Sequence, residues 1–172
     1  MSDPNVTPHV SLLQRILIGR RPKRTLFRAL VLATVAAFLF GYVLVPVRIS
    51  GLSMEPSYHD HSVNLINRPL YLLREPRRGD VVAVGTTGWH IMYCKRIIGL
   101  PGETLAIRSG TVFINGQALE EPYVKARDAW EVAPVQLKAG EVFVIGDNRG
   151  MEQERHVFGI VERPKLLGPM LW

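Results

Sequence analysis

The chain has 172 residues, 47% hydrophobic and 21% charged, with 21 lysines and arginines against 15 acidic residues and a formal net charge of +6. That length holds one compact domain plus an extra segment and excludes a second large domain. A single cysteine, Cys94, excludes an intramolecular disulfide, so a folded domain must be held by its core alone. Residues 1–24 are polar and basic, with an apolar patch at Leu12, Leu13, Ile16 and Leu17 that suits a helical turn or two on a membrane surface. Nineteen uncharged residues follow from Ala29 to Val47. As a helix they would span about 28 Å at ~1.5 Å per residue, close to a bilayer core. A cleaved secretory signal is the alternative, but such signals have only about 7–15 apolar residues and end in a small-x-small site that is not evident here. A retained transmembrane anchor over 25–47 is therefore predicted. Arg15, Arg20, Arg21, Lys23, Arg24 and Arg28 precede the run and only Arg48 directly follows it. The basic tail, 1–24, is thus predicted to be cytoplasmic and residues 48–172 to lie outside the cytoplasm, in a single-pass protein of the cytoplasmic membrane. The positive charge then serves topology and attraction to anionic membrane lipid. With no DNA-binding motif or aromatic interleaving, no nucleic acid partner is expected.

Beyond the anchor, helix signals nearly vanish and short β-rich runs take over, at Val63 to Ile66, Val81 to Val84, Ile91 to Ile98, Leu105 to Ile107, Val112 to Ile114 and Val142 to Ile145. Asn115-Gly116 between TVFI and QAL predicts a hairpin, because both residues tolerate the positive φ of a type I′ turn. Leu100-Pro101-Gly102 is a second turn, and Arg78-Gly79-Asp80 leads into a strand. Tyr123 to Ala139 is weakly patterned and is expected to cross the sheet as a loop. The fold class is mainly β, an N-terminal transmembrane helix followed by an antiparallel sheet domain.

Ser53 lies in Ile49-Ser50-Gly51-Leu52-Ser53-Met54-Glu55-Pro56, six residues past the anchor. Fully extended, six residues reach only about 20 Å, so Ser53 acts close to the bilayer surface. A serine between glycine and proline is by itself more often a turn residue than a nucleophile. Lys95 changes the balance. It sits in Ile91-Met92-Tyr93-Cys94-Lys95-Arg96-Ile97-Ile98, which otherwise reads as a buried strand. A lysine there either snorkels to solvent or is desolvated, and if desolvated it favours the neutral amine and can take the proton of a serine hydroxyl. Arg96 should point to the other strand face. His59-Asp60-His61 offers metal-ligand types, but three consecutive residues rarely converge on one ion and no distant partner has ligand spacing, so no metal site is assigned. His90 and His156 are isolated. Trp89 and the apolar run from Leu166 to Trp172 are either interfacial or core.

Four motifs occur together in one order. GLSMEP around Ser53 resembles the serine box of the signal peptidase I family, and RGDVVAV resembles its Gly-Asp strand box. YCKRIIGLPGE resembles its lysine box and GDNR, at Gly146 to Arg149, its last box. With the anchor the resemblance covers roughly residues 25 to 161. It implies a coiled sheet with the active site at one edge, Ser53 as nucleophile, Lys95 as general base, and no cofactor. It further implies an oxyanion donor in the Ser53 backbone N–H, with Gly51 a further candidate where some members carry a serine. Ile49, Met54, Tyr93 and Cys94 match positions lining pockets for small side chains, with ordinary core as the alternative. The last box departs from the family. Where members continue with Asn-Ser, a spacer and Asp-Ser-Arg, this chain reads Gly150-Met151-Glu152-Gln153-Glu154-Arg155. The serine that holds the lysine is missing, and Glu152 or Glu154 could stand in for the aspartate. Asp147, Arg149 and Arg155 are expected to be structural ion-pair members.

The resemblance implies a serine endopeptidase that removes N-terminal signal peptides from exported precursors after small residues of Ala-x-Ala type. Its partners would be signal-peptide-bearing precursors. Two other readings stand beside it: a maturation peptidase dedicated to one conjugation or pilus cargo, and an inactive peptide-binding module with the same fold.

Overall fold

The computed structural model describes residues 22–86 and 88–171, and of residues 86 and 88–91 the backbone only. The basic tail up to residue 21, with Arg15, Arg20, Arg21 and the patch Leu12 to Leu17, lies outside the described residues, as do Trp172 and the side chains of Trp89 and His90. The described chain divides into two units, the first reaching Gly41 and the second running from Tyr42 onward.

In the first unit, helix α1 covers Pro22–Phe38 and the helical path continues through a wider π-type turn, Leu39–Val43. Proline at the first position costs nothing, since that N–H has no intrahelical partner. No residue of α1 is buried, although Leu26, Phe27, Leu30, Leu32 and Phe38 are all large and apolar. A helix whose uncharged apolar run has no buried residue suits a lipid environment. The 22 residues of Pro22–Val43 are long and apolar enough to cross a bilayer. The stretch expected as anchor ran to Val47, but Leu44–Arg48 is strand β1, paired antiparallel with β2, Val63–Asn67. Pro46 cannot continue a helix, and the β-branched Val45 and Val47 on either side suit a strand.

The second unit is built on antiparallel strands: β3 Val81–Thr86, β4 Gly88–Gly99, β5 Thr104–Arg108, β6 Thr111–Ile114, β7 Gln117–Ala118, β8 Val132–Gln136, β9 Glu141–Ile145, β10 Gly159–Glu162 and β11 Leu166–Leu171. They form a seven-stranded sheet in the order β1-β2-β11-β3-β4-β9-β10 and a four-stranded sheet in the order β7-β6-β5-β8. A mainly antiparallel β fold with one N-terminal apolar helix is the class the sequence predicts. All six expected strands are present. In the predicted hairpin, Asn115 and Gly116 have φ of 51° and 83°, which the type I′ turn requires.

One further part of the expectation needs correction. The Tyr123 to Ala139 segment is not all loop: Val132–Gln136 is β8, an edge strand whose Pro134 breaks the apolar pattern that would mark it. Helix after the anchor is confined to short turns, of which α2, Leu70–Leu73, is the α-helical one among the described residues. Of the two readings of the apolar run from Leu166, core is the one seen: Leu166–Leu171 is interior strand β11, which joins β2 to β3.

Alternation sorts the side chains into three packed layers. Val82, Val84, Val142, Val144 and Ile97 pack with Tyr71 and Leu166 on one side. Phe143, Ile145 and Ile98 pack against Leu105, Ile107, Val112 and Trp130 of the smaller sheet region. Val81 and Ala83 pack against Ile49, Met54, Ile66 and Met170, beneath the loop that carries Ser53. Strands β3 and β9 are buried on both faces, which is why they read as continuous apolar runs.

Candidate active site

The loop joining β1 to β2 is closed by its own backbone: Ile49 N–H donates to Ser62 O at 2.9 Å and His61 N–H to Ile49 O at 2.9 Å. Within it, Asp60 Oδ1 accepts hydrogen bonds from the N–H groups of Gly51 and His61, both at 2.9 Å. The Gly51 bond first, and the His61 side chain among the further causes, hold the Asp60 carboxyl below its ordinary range. His59-Asp60-His61 therefore works as a loop staple. The Gly51 N–H, a further candidate oxyanion donor, is engaged by the Asp60 carboxylate in this structure. The Ser53 N–H has no hydrogen-bond acceptor among the described residues.

A second set of contacts comes from the segment after β9. Asn148 N–H donates to Ser53 O at 3.0 Å, and its Nδ2 donates to Leu52 O at 3.0 Å. Gly146 lies so close that a Cβ there would overlap Ser53 O and the His156 ring. A glycine is thus required where the backbone of the last motif touches that of the first.

Lys95 enters from β4, paired with Val82 of β3. It is only 2% exposed. Its Nζ lies 2.6 Å from Ser53 Oγ, across 42 positions in sequence. Burial pushes the amine down to about 8, partly opposed by Cys94 and Asp147. This brings the neutral amine within reach at mildly alkaline pH, and in that state the serine hydroxyl donates to the nitrogen lone pair. Arg96 does not charge the pair. Its Nε and Nη2 donate to both oxygens of the buried Asp147 at 2.8 and 2.6 Å, Nη1 donates to Gly79 O, and the guanidinium lies 4.0 Å over the Tyr123 ring.

A cleft of about 110 Å³ opens beside Ser53, lined by Ile49, Gly51, Met54, Tyr93 and Cys94, and also by Val47, Ala83, Met92 and Met170. Ile49 and Met54 are at the same time core residues. Its walls are mostly apolar, with Ser50, Gly51 and Arg48 at the rim. Burial pushes the Cys94 thiol up to about 12, which makes it an unreactive wall.

Of the expected supports, Asp147 pairs with Arg96, and Arg149 pairs with the buried Glu121 at 2.6 Å. Arg155 is exposed and makes no ion pair among the described residues. Glu152 and Glu154 are exposed as well, so neither stands beside Lys95. Instead the departing segment buries His156, whose ring packs edge-on to Trp130 at 4.8 Å. Burial, then the Lys95 charge, push its imidazole down to about 4, so it is neutral at physiological pH. Neither ring nitrogen makes a hydrogen bond of ordinary geometry. Asp60, Asn148, Gly146 and His156 escape a sequence reading because each acts through tertiary contact. Only Asn148 and Gly146 carried a signal, inside the GDNR motif.

A serine hydroxyl touching a desolvated lysine on an antiparallel β scaffold, with a cleft alongside, is an arrangement suited to nucleophilic hydrolysis. Residues 23–172 match the model of the signal peptidase family, peptidase S26. Over 126 residues the chain is 38% identical to "Probable signal peptidase I-2" of Synechocystis sp., a match covering 70% of this chain and 58% of that relative's length. It is 30% identical over 161 residues to "Signal peptidase I" of Bacillus licheniformis, covering 85% of this chain and 87% of the relative. A solved signal peptidase I structure from Enterococcus faecalis V583 is 28% identical and covers 57% of this chain and 98% of that one, with a TM-score of 0.47. The chain belongs to the signal peptidase family, peptidase S26, and is a serine peptidase. With its apolar helix it is a membrane-anchored member.

Proposed function

We propose that this protein cleaves N-terminal signal peptides from exported precursors after small residues, with Ser53 as nucleophile and Lys95 as general base. The observation that carries this reading is the 2.6 Å contact between Ser53 Oγ and the buried Lys95 Nζ. Ser53 Oγ attacks the scissile carbonyl carbon as its proton passes to Lys95, and the new oxyanion is met by the unengaged N–H of Ser53. Lys95 then returns the proton to the leaving amine, and water releases the acyl group by the same relay in reverse. Ile49, Met54, Tyr93 and Cys94 would restrict the residues before the cut to small ones, giving Ala-x-Ala selectivity. Asp147 and Arg149 hold the scaffold through their buried pairs. The intact Ser53–Lys95 contact weighs against an inactive binding module.

The basic flank of the anchor supports a cytoplasmic N-terminus and a catalytic domain, residues 48–172, on the outer face of the cytoplasmic membrane. The test is cleavage of an Ala-x-Ala precursor by the purified full chain in detergent. Activity should be abolished in both Ser53→Ala and Lys95→Met. Undiminished cleavage by either variant refutes the mechanism, and cleavage after bulky residues refutes the pocket assignment.

A further inference from the structure

Strand β1 is the outermost strand of the seven-stranded sheet, and among the described residues one of its edges is unpaired. Its bonds to the β2 side show which residues face that edge. Arg68 N–H donates to Val43 O at 3.1 Å and Ile49 N–H donates to Ser62 O at 2.9 Å, so the odd-numbered residues turn their backbone groups toward β2. Alternation then turns those of Pro46 and Arg48 outward. Pro46 fits this placement, since proline has no N–H to leave unpaired on an open edge. Arg48 is thus the residue of β1 whose N–H and C=O an added strand would meet.

The side chains divide in the same rhythm. Val47 and Ile49 line the cleft beside Ser53 and pack toward Met54 and Ala83. Arg48, between them at the cleft rim, belongs to the opposite face, where it is exposed and set across from the exposed Val63. Its guanidinium makes no hydrogen bond or ion pair among the described residues. Asp60 feels the Arg48 charge, but its Oδ1 is taken by the Gly51 and His61 N–H groups and its Oδ2 faces His61 Nε2 at 3.4 Å. A fixed cation therefore stands on the outer face of the open edge, one residue from the cleft wall.

An extended peptide added to β1 alternates in step with it. With the first and third residues before the cut in the cleft, as proposed above, the middle residue stands on the face that carries Arg48. Directly opposed side chains on neighbouring strands have Cβ atoms about 5 Å apart and diagonal ones about 7–8 Å, both within reach of an arginine. We infer that Arg48 reads the middle residue of the Ala-x-Ala sequence, favouring an acidic side chain there and disfavouring a basic one. A carboxylate can accept two parallel N–H bonds from the guanidinium, whereas a lysine meets like charge. The inference rests on the proposed peptidase function and narrows its substrates.

The test compares two precursors that differ only in glutamate or lysine at the middle position, cleaved by the purified full chain in nonionic detergent at low salt. The glutamate precursor should have the higher kcat/KM by about fivefold, the scale of an exposed ion pair, and the ratio should shrink as salt is raised. Arg48→Gln should bring the ratio close to one, and Arg48→Glu should invert it. Equal kcat/KM for the two precursors with the unaltered chain overturns the inference, as does a ratio that survives in Arg48→Gln. If neither precursor is cleaved, the proposed function fails, and binding of the two peptides to Ser53→Ala, followed by fluorescence anisotropy, still reads the preference. Tighter binding of the glutamate peptide supports the role of Arg48, and equal or undetectable binding overturns it.

Discussion

At the scale of single residues, the buried amine of Lys95 makes two opposite demands. Catalysis needs it neutral, so kcat/KM should rise with pH along a single limb with its midpoint near 8, where burial has placed the group. A flat profile from pH 6 to 9 would remove Lys95 as the base. Stability feels the same shift as a cost. Between about 8 and 10.5 the unfolded chain binds more protons than the folded one, so stability rises with pH across that window. Below it the full penalty is present, about 3 kcal/mol at ~1.4 kcal/mol per pKa unit. Lys95→Met should accordingly unfold in detergent at higher urea than the parent at pH 6, with the gain shrinking toward pH 10.5. A variant no more stable at pH 6 contradicts the desolvation argument. Gly146 makes a sharper demand. Alanine there meets Ser53 O and His156, and displacing the nucleophile by even ~1 Å can cost about 100-fold in rate. Gly146→Ala should lose roughly that much of kcat/KM while keeping its circular dichroism spectrum. Ser53 and Lys95 could be paired from sequence because each sat in a telling local context. Asp60 and His156 could not, since a loop staple and a buried neutral imidazole look like any surface Asp or His until the chain folds.

At the scale of elements, legibility followed burial pattern. Strands β3 and β9, apolar on both faces, and the Asn115-Gly116 hairpin were plain, because their local chemistry and their tertiary role agree. β8 was hidden by Pro134 on an edge, β1 by its continuity with the apolar run before it, and α2 by being a single turn with no side-chain cap. The segment between β7 and β8 is tethered by charge. Arg149 and Glu121 are almost wholly buried against each other, with Arg127 contacting Glu121 at 3.8 Å. Removing one partner of such a pair strands the other in a low-dielectric interior. Glu121→Ala should therefore lower the unfolding free energy by about 3–5 kcal/mol in a denaturant titration. A change below 1 kcal/mol would show that water reaches Arg149.

At the scale of the molecule, sheet order differs from chain order. The strands flanking the Ser53 loop, β1 and β2, reach the Lys95 strand only by way of β11. A chain stopped after Lys165 should be unable to cleave a precursor, and an active truncated chain would show that the Asn148 contacts alone can align the pair. Synthesis order gives this arrangement a temporal meaning. The hydroxyl and the amine are made early, whereas residues 166–171, the strand that joins β2 to β3, are made late. If the truncated chain is inactive as expected, each copy would be harmless to polypeptides emerging beside it while still being made, and would become competent only once that late strand locks in.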